Sequence, residues 1–181
     1  MVSFPLVGEP LALDLLNAGE LLDAPEGLAA WIGEQSGRLE PVGAVGRAEV
    51  AAVRAVREAA GPVLDAVRRG GPPPEGALRA LNGFLAAAPS HTELAWADGA
   101  GLAAAPRRTA DPARRLAAEL AQAVAELATD PRVTSVRRCE AEGCVLLFLP
   151  AHPRRRWCVA SVCGNRARVA RYYARHKEAG A

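Results

Sequence analysis

Four cysteines stand in the last quarter of this 181-residue chain, as two pairs of equal spacing. Cys139 and Cys144 are separated by four residues, and so are Cys158 and Cys163. Each pair can come from one tight turn, and a short insert can bring the two turns together around one tetrahedral ion. Gly143 supplies the backbone freedom that such a knuckle needs. Other uses of the sulfurs fit less well. Disulfides belong to oxidising compartments. Redox pairs usually enclose two residues, not four. A catalytic metal keeps a coordination position open, and four thiolates leave none. The spacing therefore predicts a structural zinc ion held by Cys139, Cys144, Cys158 and Cys163.

Half of the residues are hydrophobic and the net charge is only +2. That composition supports a buried core and argues against disorder. No apolar run approaches the roughly 20 residues of a membrane span. The opening MVSFPLVGEP lacks the basic start and apolar stretch of a signal peptide. A cytoplasmic protein with no membrane partner is expected. Charge is divided unevenly. Residues 1–130 hold 11 arginines against 17 acidic side chains, a formal −6, and residues 131–181 carry a formal +8. The predicted organisation is a helical domain over 1–130 and a basic, cysteine-bearing module over 131–181. Nearly all basic residues are arginine, which fits a GC-rich genome, so the position of the charge is more informative than its type.

Hydrophobic spacing predicts a mainly α fold with small β hairpins. Helices are expected over Leu11–Asn17, from Pro25 to about Gln35, over 46–70 with a break or kink at Gly61-Pro62, over Glu75–Ala88 with Leu78, Leu81 and Leu85 inside, and over Pro112–Ala128. Thr92–Trp96 and Gly101–Ala105 flank Asp98-Gly99 and predict a hairpin. Short strands are expected around 133–138 and over Val145–Leu149, followed by a C-terminal helix. Knuckle, hairpin, second knuckle and helix resemble a treble-clef zinc finger.

On a helical wheel, Val162, Val169, Tyr172, Tyr173 and His176 gather on one side, which is expected to pack against the protein. Arg168, Arg171 and Arg175 gather on the other. With Arg154, Arg155 and Arg156 they form a candidate nucleic-acid surface. Four thiolates and one zinc ion carry about −2, which leaves this end near +6. Asn165 and Arg166 fall toward the buried side, where structural hydrogen bonds are expected. Trp157 is expected in the core, and His152 is a spare candidate ligand. The plain alternative is that the basic face docks on the acidic domain.

The run Arg155-Arg156-Trp157-Cys158, with Cys163-Gly164-Asn165-Arg166 four residues on, resembles the CGNR zinc finger. Gly8-Glu9-Pro10-Leu11-Ala12-Leu13-Asp14-Leu15-Leu16-Asn17 resembles the opening of the ABATE-type domain that precedes this finger in its family. The resemblance implies stress-induced transcriptional regulation, a DNA-binding finger and zinc on the four cysteines. Two departures stand out: Ala18 replaces the usual Thr after the opening motif, and the loop before Cys158 reads Pro150-Ala151-His152-Pro153.

Three classes of function follow. In the first, a DNA-binding regulator, the N-terminal domain senses a small-molecule effector or forms a homodimer. In the second, the zinc end is only a clamp within a protein-interaction module. In the third, the N-terminal domain binds a small ligand, with Asp14 and Asn17, one turn apart, as a candidate pocket. RNA remains an alternative to DNA. No catalytic residues are expected, since no nucleophile and base pair stands out and His91 is the one histidine before residue 150.

Overall fold

In the computed structural model the described residues are Phe4, 7–99 and 101–178, without side chains at 97, 174, 175, 177 and 178. The elements run α1 (Leu11–Ala18), α2 (Pro25–Glu34), α3 (Arg47–Arg68), α4 (Glu75–Ala87), β1 (Ser90–Ala97), β2 (Gly101–Arg108), α5 (Pro112–Thr129), β3 (Arg137–Arg138), β4 (Leu147–Phe148) and α6 (Asn165–Glu178). The fold is mainly helical with two small antiparallel hairpins, β1–β2 and β3–β4.

Long helices α3 and α5 form the centre and α4 packs against both. α5 is the clearest case of sequence dictating structure. Asp111 accepts the amide of Arg114 at 3.0 Å as its cap, Pro112 occupies the first turn, and Leu116, Leu120, Val124 and Leu127 are buried along one stripe. α3 runs through Pro62 without a break. Proline removes one amide and crowds the preceding turn. Buried Val56, Ala59 and Ala60 before it, and Val63 and Leu64 after it, hold both halves against one core. In α4 only Leu81 is buried; Leu78 is exposed and Leu85 half-buried, because this helix lies at the margin of the core.

The region after α5 differs from the expected strands. Pro131–Ser135 forms a tight 3-10 turn started by Asp130, which accepts the Arg132 amide at 2.7 Å. Only Arg137–Arg138 and Leu147–Phe148 pair as strands. Val133 and Val136, with partly buried Leu147 and Leu149, join the main core. A separate small core of Cys139, Ala141, Phe148, Cys158 and Cys163 sits beyond them.

The opening segment ties these two cores together. Asn17 lies on α1, and its amide behaves like a strand residue facing β4. Its Nδ2 donates to the Leu147 carbonyl at 2.8 Å, and its Oδ1 accepts the Leu147 amide at 2.8 Å. Two residues on, the Leu149 amide donates to Glu9 Oε2 at 2.8 Å, while Arg155 donates to Glu9 Oε1 at 2.7 Å. Asp14, fully buried, holds Glu9 in place. Its oxygens accept the amides of Gly8 and Glu9 at 3.0 and 3.1 Å and pair with Arg38 at 2.7 Å. The ligand-pocket expectation for Asp14 and Asn17 is thus corrected: both side chains are occupied inside the protein. Buried polar groups must find partners, and here they find them across the junction.

Replacing Asn17 by Ala leaves the Leu147 amide and carbonyl unmatched. A loss of about 1–3 kcal/mol in chemical denaturation is expected, with faster hydrogen exchange at the Leu147 amide. Unchanged protection there would count against this junction.

Candidate metal centre

Four cysteine sulfurs converge within 4.8 Å of one another. Cys139 follows β3. Cys144 follows Gly143, whose φ of +70° is readily adopted by glycine. This first pair lies inside the loop of the β3–β4 hairpin, so the hairpin encloses the first knuckle and does not separate the two pairs. Cys158 ends the 150–157 loop. Cys163 lies in a wide turn, Ala160–Gly164, just before α6, where its amide donates to the Val159 carbonyl at 2.9 Å. At the start of α6, Asn165 Nδ2 donates to the Ser161 carbonyl at 2.7 Å.

The set fits zinc. A tetrahedral thiolate site with Zn–S near 2.3 Å has sulfur edges of about 3.8 Å. Cys144 and Cys158 are 3.8 Å apart, and Cys158 and Cys163 are 3.5 Å apart. All four are free thiols, and three are buried. Outer donors are already placed. The Cys158 amide reaches Cys139 Sγ at 3.4 Å, and Arg166 reaches Cys163 Sγ at 3.4 Å. Such contacts orient ligands and spread their charge.

The protonation pattern matches a centre that needs a cation. Burial would raise Cys139, but the amides of Cys158 and Ala141 and the neighbouring sulfurs outweigh it and hold that thiol below its ordinary value. Burial first, then the sulfurs of Cys163, Cys139 and Cys144, push Cys158 up strongly. Burial raises Cys163 as well. One thiol is thus held below its ordinary value while burial and crowding by neighbouring sulfurs hold two others above theirs. A divalent ion relieves that repulsion and expels the protons, so affinity falls in acid.

The arginines divide by role. Arg155 points inward, with its guanidinium 4.4 Å from the Phe148 ring centroid, bonded to Glu9 and to the carbonyls of Trp157 and Cys158. Its place in the candidate nucleic-acid surface is corrected: it is a strut beneath the metal centre. Arg156 pairs with Glu140 and lies over Trp157. Arg154, Arg168 and Arg171 are exposed. Arg168 donates to Asn165 Oδ1 at 2.8 Å and Arg171 to the Ala167 carbonyl at 3.2 Å. Arg175 was assigned to the same face, and its side chain lies outside the described residues. His152 accepts the Arg154 amide within its own loop and does not join the sulfurs.

Two expectations for α6 change. Val162, Val169, Tyr172 and Tyr173 are all exposed, because α6 is held at its first turn and extends away from the body. The basic end does not dock broadly on the acidic domain. Apart from the local Arg132–Asp130 pair, Arg155–Glu9 is the ion pair that joins them among the described residues. Sequence reasoning missed Glu9, Arg38 and the packing of Gly164. A Cβ at Gly164 would stand 3.0 Å from Trp157 Cδ1. The tryptophan and the glycine of the two cysteine motifs therefore touch, and that pairing was the available signal.

Gly164→Ala is predicted to displace Trp157 and the Cys163 turn, weakening zinc binding by at least about tenfold in competition with a chromophoric chelator. Equal affinity would show that this contact does not support the centre.

The sequence pattern of the ABATE family, described as "Putative stress-induced transcription regulator", matches residues 9–131. That of the CGNR zinc finger matches residues 135–176. No curated protein matches the chain. The first match begins at Glu9 and the second spans all four cysteines, so the junction joins the two matched segments and the metal centre lies within the second. This chain belongs to the ABATE family and carries a CGNR zinc finger with a four-cysteine zinc site.

Proposed function

We propose that this protein is a DNA-binding transcriptional regulator that grips the phosphate backbone with the arginines around its zinc finger. One observation carries the reading. Arg154, Arg168 and Arg171 are exposed beside the metal centre and make no ion pair among the described residues. Arg137 and Arg138, just before Cys139, add two more exposed guanidiniums. Charge that is neutralised within a protein cannot recruit a polyanion, and this charge is left free. Zinc fixes the turn from which α6 departs, so the arginines are presented from a rigid base. Backbone contact gives affinity; sequence preference would require base contacts by side chains such as Arg168 or Arg171 in a major groove. The reading assigns the chain no catalytic step.

A second reading draws on the aromatic side of α6. Tyr172 and Tyr173 are exposed, the latter by 68%. Tyr172 and His176 lie 3.9 Å apart at their ring centroids. Outward rings beside arginines suit unpaired bases, in RNA or in single-stranded DNA.

Fluorescence anisotropy titrations with random duplex and with single strands, at low and moderate salt, separate the two. If duplex is the partner, the double variant Arg168→Ala, Arg171→Ala flattens the log–log salt slope by about 2, and Tyr173→Ala changes little. If single strands are the partner, Tyr173→Ala costs about 1–3 kcal/mol. A salt slope unaffected by the arginine substitutions contradicts the assignment of this face.

A further inference from the structure

The β1–β2 hairpin carries an apolar face that is left exposed among the described residues. The register pairs Thr92 with Pro106, Leu94 with Ala104, and Trp96 with Leu102, so all six side chains project to one side. None of them is charged. Glu93 and Arg107, joined at 3.0 Å, take the other side. Trp96 is 73% exposed, Leu94 64% and Leu102 65%. Scattered surface leucines need no explanation, but a contiguous apolar strip with a tryptophan does. A lone two-stranded hairpin also needs a packed face to be stable.

The foot of this same strip borders a cleft of about 400 Å³. Its apolar lining includes Leu11, Pro106 and Ala123, and its carboxylates include Glu119 and Glu126. Burial, outweighing the hydrogen bond from the Glu40 amide and the nearby arginines, holds Glu119 above the ordinary carboxylate range. The cleft thus offers an apolar berth and hydrogen-bond acceptors. Trp96 offers the complement, a large apolar ring with a single N–H donor.

We propose that two copies of this chain join face to face through the hairpin, each inserting Trp96 into the cleft at the foot of the other's hairpin. Ser90 lines the cleft and lies six residues before Trp96 on the same strand face. A two-fold axis at the level of Glu93 therefore brings each tryptophan over the other copy's cleft, about 10 Å from the axis at roughly 3.3 Å per residue. One rotation satisfies both contacts, as a closed isologous dimer requires. The strip alone offers on the order of 500 Å² per copy, or about 1,000 Å² for the pair, near the lower limit of specific interfaces. Entry of the tryptophans adds to that area. The six side chains of the strip are uncharged, and Arg108 shares their side at the foot. The cleft sets Arg38 and Arg108 against Glu40, Glu119 and Glu126, which leaves no surplus positive charge for a polyanion, while the apolar strip matches a second copy of itself.

Sedimentation velocity on the zinc-loaded full chain, across a wide concentration series, tests this directly. The wild-type chain is expected to pass from monomer to dimer. Trp96→Ser weakens the dimer at least about thirty-fold, as expected for a central aromatic anchor. Ala123→Arg fills the cleft, leaves the hairpin untouched and weakens it comparably. Circular dichroism identical to wild type establishes that both variants are folded. A wild-type chain that stays monomeric throughout overturns the proposal, as does a dimer indifferent to either substitution. Trp96-dependent flotation of a monomer with phosphatidylcholine vesicles would also overturn it, giving the face to lipid.

Discussion

Four sulfurs packed within 4.8 Å are the constraint on which the C-terminal region rests. Buried thiolates repel one another, and their burial cost is met only by a cation at their centre. Around them there is little else. The finger's own core is three buried cysteines with Ala141 and Phe148, and its strands are two residues each. So small a module does not bury enough apolar surface to hold itself, and metal binding supplies the missing free energy. The zinc finger of this ABATE-family chain is an ion-centred fold whose arginines gain direction from that ion.

A second constraint is how the finger is seated. Glu9 and Asn17 meet the backbone of Leu149 and Leu147, two residues apart on one edge. Asp14 and Arg38 brace Glu9 from behind. Arg155 closes the set by bonding Glu9 while its guanidinium rests on Phe148 of the metal core. The opening motif of the N-terminal domain thereby works as a receptor for the finger's β4 segment. Its polar residues are kept buried because each one is matched, and the match specifies a single placement.

Much of this was legible in the residues. Cysteine spacing predicted the metal centre, and the stripe Leu116, Leu120, Val124, Leu127 with Asp111-Pro112 predicted α5 closely. The hairpin came from Asp98-Gly99. What failed has physical reasons. Pro62 signals a break, yet core burial on both sides overrides that local preference in α3. Three consecutive arginines look alike in sequence, and only the path of the 150–157 loop turns Arg155 inward and leaves Arg154 out. The apolar side of α6 suggested packing, but amphipathicity does not say whether a partner surface is within the chain's reach. Asp14 and Asn17 looked like a pocket because polar residues on an apolar helix suggest a ligand. Their partners are backbone groups 130 residues away in one case and a loop arginine in the other.

The most direct test of the centre is X-ray absorption at the zinc edge, combined with metal analysis of the purified full-length protein. One zinc per chain, with four sulfur neighbours at about 2.3 Å and no nitrogen or oxygen in the inner shell, is the predicted result. A folded, metal-free finger, or an inner shell containing nitrogen or oxygen, would contradict a centre built from Cys139, Cys144, Cys158 and Cys163.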